Sequence, residues 1–223
     1  RRMNNLALKS LVVVGLILGC CGLSGAALMT EVYSDSIALQ DTNWTGVISV
    51  PKFDPANGIL QSVTVDLTGT VQGKAGFESW DQEETDITLE LIAIVSLELP
   101  SGGNLITTAP TATVVELGVA AFDGDVDFDG LSGTTFPDLS DTKTDTETTI
   151  LAADLAMFTG TGNIALNTEA KGASSGSGAG NLIMLFNTQA KAEAVVTYSY
   201  IVPEPARLIL LGLGSMVFVR RKR

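Results

Sequence analysis

The sequence predicts an all-β protein, an antiparallel β-sandwich of the jelly-roll type, on three observations from its central part. Apolar and polar side chains alternate with a period of two in short runs, as they do in strands that bury one face. Turn-forming residues such as Asn57-Gly58 separate these runs. No long amphipathic helical pattern interrupts them. Many short alternating strands without long helices are typical of two packed sheets.

The alternation also places each expected element along the chain. The expected strand regions, in order, are 32–39, 44–50, 62–71, 77–80, 86–98, 112–128 (one or two strands), 161–170, 182–186 and 190–200. The inward side of the run 86–98 is expected to consist of Ile87, Leu89, Leu91, Ala93, Val95 and Leu97. Residues 73–76 are expected to turn the chain, 140–149 to be exposed, and 154–158 to form one helical turn.

The first 27 residues are expected to be a signal peptide that forms a helix. An apolar run at 11–19 follows three basic residues, and small residues at 24–26 offer a cleavage position. The basic residues are Arg1, Arg2 and Lys9. The alternative is a lipoprotein cleavage box at 17–20, which ends in Cys20. Both interpretations predict export, with signal peptidase and the general export machinery as partners.

The β domain expected at 28–201 is strongly acidic. Of the 25 acidic residues in the chain, all except Glu204 lie between Leu28 and Val202, where only five lysines accompany them. The resulting net charge of −19 repels nucleic acid and anionic lipid. The chain has no histidine, and both cysteines, Cys20 and Cys21, fall inside the expected signal peptide. Ser-His-Asp and Cys-His catalysis, imidazole metal sites and disulfides are therefore excluded for the mature part.

The last 22 residues, 202–223, have three parts. Val202-Pro203-Glu204-Pro205 brackets one acid between two prolines, which donate no backbone hydrogen bonds and keep the chain extended. An apolar run follows at 206–219. Its fourteen residues would rise about 21 Å as a helix, less than the ~30 Å hydrocarbon core, so we expect a short, temporary transmembrane helix. The chain ends in a basic cluster, expected to stay cytoplasmic, that consists of Arg220, Arg221, Lys222 and Arg223.

This three-part pattern resembles the PEP-CTERM sorting signal of Gram-negative bacterial surface proteins. The resemblance implies an exosortase, a membrane protease and transpeptidase, as the processing partner, in bacteria that make extracellular polysaccharide. The tail would be removed as in a GPI signal, so that the mature protein has no membrane span. The alternative is an ordinary single-pass C-terminal anchor.

Five short segments of the central part are similar to the choice-of-anchor E domain, over roughly residues 31–200. The segments are Thr42-Asn43-Trp44-Thr45, Val50-Pro51-Lys52-Phe53-Asp54-Pro55, Ala121-Phe122-Asp123-Gly124, Phe158-Thr159-Gly160-Thr161-Gly162 and Ser174-Ser175-Gly176-Ser177-Gly178-Ala179-Gly180-Asn181. Members of that group share an extracellular domain and differ in the C-terminal anchor. The resemblance therefore implies a secreted surface protein, and it brings no catalytic residues with it.

The acidic run at 123–130 has two interpretations. Asp125, Asp127 and Asp129, followed by a glycine, match the opening of a calcium loop, in which carboxylates supply hard oxygen ligands. The twelfth position of such a loop is Phe136 here, where glutamate is usual. The other interpretation is a strand with a solvated acidic face, because the aspartates alternate with apolar residues. Apart from calcium, no cofactor is expected.

Three further groups also have more than one interpretation. The acidic residues within 81–86 match paired glycosidase carboxylates, but clustered acids on a turn are usually solvated. The Gly/Ser-rich segment 172–181 lacks the Lys-Ser/Thr ending of a phosphate loop, so a flexible hairpin connection or a bulge is expected there. Four aromatic side chains would either stack on sugar rings or fill the core; they are Trp44, Trp80, Tyr198 and Tyr200.

We therefore expect a non-enzymatic, exported bacterial protein with a structural or adhesive role at the cell surface or in the exopolysaccharide matrix. Transient attachment to the inner membrane would precede processing by an exosortase. The competing class is a carbohydrate-binding module that uses exposed aromatic residues and, in one form, calcium. A hydrolase built on carboxylates is a third class, which the absence of histidine disfavours. Nucleic acid is not expected as a partner.

Overall fold

The computed structural model describes residues 27–203, which form two antiparallel sheets and confirm the all-β prediction. The first sheet contains, in spatial order, β1 (Ala27–Asp41), β10 (Leu182–Val202), β3 (Ile59–Ser79) and β7 (Gly133–Thr149). The second contains β2 (Trp44–Pro51), β8 (Asn163–Gly172), β4 (Thr85–Glu98) and β5 (Asn104–Thr108). The strands β6 (Thr111–Val119) and β9 (Ser175–Ser177) also pair with β4, and helix α1 (Ala152–Phe158) follows β7.

The two helices expected at the ends of the chain fall outside this described part. The expected signal peptide, 1–27, lies outside the described residues except for Ala27, the first residue of β1, and the apolar run 206–219 follows residue 203. Within 27–203, helix α1 has only seven residues, and no helix is long and apolar enough to cross a membrane.

The second sheet, like the first, is four strands wide, because two of its positions are each shared by two shorter strands. β5 and β6 pair with one side of β4 and are separated at Ala109-Pro110, where proline lacks the N–H that would continue the ladder. β8 and β9 pair with the other side of β4. The spatial order 1-10-3-7 in one sheet and 2-8-4-5 in the other is that of a jelly roll, which joins two Greek keys.

The core lies between the sheets and follows the predicted alternation. The six β4 side chains expected to face inward are all at most 1% exposed, and they pack against the inner faces of β3 and β10. A second, smaller cluster forms around Phe77 and Ile87. The hydrophobic pattern therefore predicted correctly which face of these strands is buried.

The sandwich is elongated, and the first and last described strands begin and finish at the same end of it. β1 and β10 are paired to their outermost residues, with Ala27 opposite Val202, and we name this the terminal end. The connections 80–84, 120–132 and 178–181 lie at the opposite end, which we name the loop end. β3 spans the distance between them with 21 residues. At a rise of about 3.3 Å per residue, the two ends are about 65 Å apart.

β3 is longer than predicted, because residues 73–76 do not turn the chain. The strand continues through them as a bulge, with a register shift against β7 between Gly73 and Ala75. β10 pairs along the other side without a break, which also joins the two strands expected at 182–186 and 190–200 into one. A Cβ at Gly73 would collide with the carbonyl oxygen of Asn187. The glycine therefore permits a close approach of two strands rather than a reversal.

Two aspartates close the open sides of the sandwich. Asp35 of β1 accepts a hydrogen bond from the backbone N–H of Ser49 in β2, at 2.8 Å. Asp141 of β7 accepts one from the backbone N–H of Thr111 in β6, also at 2.8 Å. Each contact joins the edge strand of one sheet to the edge strand of the other. It thereby protects an edge that could otherwise pair with a strand of another chain. The segment 140–149 is mostly exposed, as expected, but it belongs to strand β7.

Tyr198 in the core makes the stability of the fold sensitive to high pH. Its side chain is fully buried, and its hydroxyl donates a hydrogen bond to the carbonyl oxygen of Pro51 at 2.7 Å. Burial, followed by repulsion from Tyr33 and Glu31, raises the pKa of Tyr198 far above its ordinary value. The unfolded chain loses this proton near pH 10 while the folded chain keeps it. We therefore expect the free energy of unfolding to fall above about pH 10, by up to about 1.4 kcal/mol per pH unit.

Urea unfolding between about pH 8 and about pH 11 measures this effect. Below the ordinary tyrosine pKa both states hold the proton, so Tyr198 contributes no slope there. The Tyr198→Phe variant removes the titrating group and is expected to show a shallower loss of stability at high pH. Equal slopes for the two proteins would contradict the assignment.

Candidate functional site

At the terminal end, β10 is paired on both sides almost to its last residue. Ile201 lies opposite Leu28 of β1 and Ile59 of β3, and Val202 lies opposite Ala27. The next residue, Pro203, is exposed. The paired sheet therefore ends where the expected sorting segment begins.

Glu31 fastens the first strand to the last at this end. Its carboxylate accepts hydrogen bonds from the hydroxyls of Tyr33 and Tyr200, both at 3.3 Å, and from the side-chain amide of Asn57 at 3.1 Å. The ring of Tyr200 also packs against Phe53, with centroids 4.9 Å apart. Burial, and then repulsion from Glu31, raise the pKa of Tyr33 and of Tyr200. Both hydroxyls therefore keep the proton they donate at neutral pH, and the hydrogen bond from Tyr200 holds β10 to β1.

At the loop end, Glu78 anchors the acidic segment. The residue is fully buried, and its carboxylate accepts hydrogen bonds from the hydroxyl of Ser132 at 2.6 Å and from the backbone N–H of Phe128 at 2.9 Å. A Cβ at Gly133 would collide with the same carboxylate, so glycine allows β7 to start beside it. Strand alternation would place Glu78 on the solvent side, and for that reason this role could not be predicted from the sequence.

The acidic segment 123–130 is an irregular loop, so the prediction of an acidic strand is wrong. Phe128 has φ 58°, and two glycines in the segment also have positive φ, which a regular strand does not allow. Asp123 and Asp127 each accept a hydrogen bond from the backbone N–H two residues later, at 3.2 Å and 3.0 Å. These side-chain turns reverse the chain locally and replace the strand.

The calcium interpretation gains no support from the geometry of this loop. Within residues 27–203, no group of three or more acidic side chains is placed to hold one metal ion. The carboxylate of Asp127 instead caps a backbone amide. A calcium site at Asp125, Asp127 and Asp129 stays a prediction from the sequence.

Only Trp80, of the four aromatic residues considered for sugar stacking, is exposed. Trp44, Tyr198 and Tyr200 belong to the buried core, whereas the side chain of Trp80 is 49% exposed. Trp80 lies beside Phe122 at the loop end, with ring centroids 5.6 Å apart and an interplanar angle of 44°. We name these two rings the aromatic ledge.

The acidic turn next to the aromatic ledge fastens neighbouring loops. Asp81 accepts hydrogen bonds from the backbone N–H groups of Gly180 and Asn181, at 2.6 Å and 3.0 Å. Asp86 accepts one from the backbone N–H of Gly118 at 2.9 Å. Two of the carboxylates considered as glycosidase candidates therefore have a structural use in this protein.

The Gly/Ser-rich segment 172–181 is more ordered than the expected flexible connection. It contains β9, whose residues Ser175–Ser177 pair with Thr88–Glu90 of β4. A Cβ at Gly178 would collide with the carbonyl oxygen of Asp86, so this glycine permits a close backbone approach. The segment thus extends the second sheet towards the loop end.

A groove of about 520 Å³ lies on the outer face of β2, β8 and β4. Its walls include Val47, Glu98 and Glu169, and none of its lining residues within the described chain is aromatic. A glycan would find hydrogen-bonding groups there but no ring on which to stack. The aromatic ledge is therefore the better candidate for sugar binding.

The comparison with protein families decides what the C-terminal end is. A PEP-CTERM protein-sorting motif occupies residues 202–223. The motif marks the chain as an exported protein sorted by an exosortase, with a C-terminal membrane anchor before processing. It begins at Val202, which is also the last residue of β10. The similarity to the choice-of-anchor E domain is not confirmed by any comparison.

Among curated proteins, no relative of this sequence was found. One similar solved structure comes from Desmodium yellow mottle tymovirus, at 10% identity and a TM-score of 0.24, covering 86% of this chain and 98% of that chain. Another comes from the Gx strain of infectious bursal disease virus, at 14% identity and a TM-score of 0.14, covering 92% of this chain and 54% of that chain. The chain thus spans about half the length of the second protein. Similarity this low shows nothing about the function of this protein. The jelly-roll fold is identified from the strand order alone.

Proposed function

We propose that this protein is a non-enzymatic surface protein of a Gram-negative bacterium, with a structural or adhesive role at the cell surface or in the exopolysaccharide matrix. In this proposal an exosortase removes the PEP-CTERM tail and frees the domain from the inner membrane. The observation that supports it is the position of the motif, which begins at the last residue of β10. Cleavage within residues 203–205 would leave all the described strands complete.

The intact mass of the protein recovered from the native cell surface tests this proposal. We expect a chain that ends between Val202 and Pro205, and any excess mass would report a covalent attachment. A mass that retains Arg223 would contradict the proposal and identify the tail as a plain membrane anchor.

A carbohydrate-binding module is the second candidate, and the aromatic ledge favours it. Trp80 presents an exposed ring, and Phe122 holds that ring from one side. Aromatic rings that are fixed by a neighbour lose little conformational entropy when they bind, which suits them for stacking on a sugar. Under this proposal the loop end, far from the membrane-attached terminus, would contact the polysaccharide.

Trp80→Ala tests the second candidate. Removal of the exposed ring is expected to weaken binding to an insoluble polysaccharide about tenfold, or about 1.4 kcal/mol, measured by co-sedimentation. Val126→Ala is a matched control, since Val126 is 46% exposed in the neighbouring loop and belongs to no aromatic pair. Equal binding by all three proteins, or no binding by the wild type, would exclude the aromatic ledge. Release of reducing sugar by the wild type would contradict the non-enzymatic proposal.

A further inference from the structure

The terminal end carries several large aliphatic side chains, of which all except the half-buried Ile201 are exposed. Leu28 and Ile59 flank Ile201 in directly opposed strand positions, so the three lie side by side on the outer face of the first sheet. Leu28 is 62% exposed and Ile59 is 54% exposed. Ile150 and Leu151 follow β7 at the same end of the sandwich, beside Leu105 of the second sheet and Leu99, which follows β4, and are 72% and 65% exposed. We name the five residues Leu28, Ile59, Ile150, Leu151 and Ile201 the apolar rim.

The register of the strands places the parts of the apolar rim at the same end of the sandwich. The first sheet has the order β1, β10, β3 and β7, and neighbouring strands are about 4.8 Å apart. Thr149, the last residue of β7, lies opposite Val63, only four residues along β3 from Ile59. The two parts of the rim therefore lie at the same end of the sandwich, with Thr149 about 13 Å behind the row of Ile59 along the strand direction. Exposed apolar side chains gathered in this way are typical of a surface that contacts a partner.

The chain beyond the described fold determines what lies next to the apolar rim. Val202 ends β10 in the row next to Ile201, and the apolar run of the sorting motif begins at residue 206. Four residue steps cover at most about 14 Å. As long as the run 206–219 is inserted in a membrane, the terminal end must lie within this short distance of the lipid.

We propose that the apolar rim rests on the bilayer surface in the unprocessed protein, so that the sandwich stands on its terminal end. This proposal rests on the proposed function, since it requires the tail to be in the membrane. Aliphatic side chains are stabilised at the boundary between the headgroups and the acyl chains, which lies about 5–10 Å below the surface. The loop end, about 65 Å away, then points into the surrounding medium.

Charge at the terminal end restricts the lipid that the rim fits. Asp54 is exposed in the connections at this end, where Asp154 and one cation, Lys52, are partly exposed, so carboxylates outnumber cations there. Carboxylates are repelled by anionic headgroups, so the partner surface is a zwitterionic bilayer. Processing of the tail would end the contact, because a few aliphatic side chains alone bind a membrane weakly.

The test uses residues 27–223, which lack residues 1–26 of the expected signal peptide and its two cysteines but keep every described strand and the tail, reconstituted into phosphatidylcholine vesicles. Single cysteines introduced by Ile150→Cys or Leu28→Cys carry a fluorophore that reports polarity. Leu131→Cys is the matched control, since Leu131 is 76% exposed but lies at the loop end. We expect a blue shift at positions 150 and 28, and loss of that fluorescence in vesicles with doxyl-labelled lipid. The label at position 131 is expected to show neither change.

Each other outcome overturns the proposal in a distinguishable way. If the chain floats with the vesicles while positions 28 and 150 remain in water, the rim does not touch lipid, and the sorting function is unaffected. A blue shift without doxyl quenching would show that protein, such as a second copy, covers the rim. A chain that does not float with the vesicles would contradict both the membrane-attached tail and this proposal.

Discussion

Replacement of Pro203, Glu204 and Pro205 by alanine is expected to leave a precursor that stays in the membrane and still ends at Arg223. The two prolines keep the segment extended and without backbone donors, and the glutamate places a charge between them. An alanine segment favours helix, and it would extend the apolar run 206–219 towards the domain. Intact mass and membrane fractionation of the variant measure the result, and we expect processing to be lost almost completely.

Pro100→Ala is a matched control for the loss of proline. Pro100 is exposed in the turn after β4, outside the sorting motif, so this variant is expected to be processed like the wild type. Normal release of the triple-alanine variant from the membrane would show that the motif is not what the processing enzyme recognises. The fold should be the same in all three proteins, which their unfolding midpoints can confirm.

Glu78→Ala is expected to lower the free energy of unfolding by about 3 kcal/mol. The substitution leaves the hydroxyl of Ser132 and the backbone N–H of Phe128 without their acceptor in a buried site. An unsatisfied buried donor costs about 1–3 kcal/mol, and two are created here. Urea unfolding gives the change, and hydrogen exchange at the Phe128 amide is expected to become faster because the loop loses its anchor.

Glu116→Ala is the control for the loss of a negative charge. Glu116 lies exposed on β6, where a substitution is expected to change stability by less than about 0.5 kcal/mol. The two variants alter the net charge equally, so a difference between them reports the buried contacts of Glu78. If both variants unfold at the same urea concentration, Glu78 does not anchor the loop.

The buried face of a strand with continuous alternation, such as β4, could be predicted from the sequence, whereas the ends of the strands could not. The alternation in β4 is continuous, and each side chain it placed inside is buried. In β3, Gly73 and Gly76 look like turn residues, but pairing with β10 and β7 on both sides keeps the chain extended. Pairing partners distant in sequence outweigh the local preference of a glycine-rich segment. For the acidic run, side-chain turns at Asp123 and Asp127 outweighed an alternation that would suit a strand.

The candidate sites also differ in whether they could be predicted from the sequence. A motif that acts as a linear segment, 202–223, can be recognised without any fold. The exposure of an aromatic ring depends on what packs over it, so the pattern could not separate Trp80 from Trp44. The apolar rim combines side chains from four separate segments, and only strand register shows that they lie at the same end of the sandwich.

The place of β10 between β1 and β3 has a consequence for how the protein folds during export. Hydrogen bonds such as the one from Tyr200 to Glu31 join residues 169 positions apart. Within residues 27–203, β1 has no other partner in its sheet, so it can pair only after the last strand has crossed the membrane. Closing so long a loop is slow, and domains dominated by distant contacts fold in milliseconds to seconds. The first sheet is therefore completed only when the strand that directly precedes the sorting motif has been exported. The native state forms no earlier than that point.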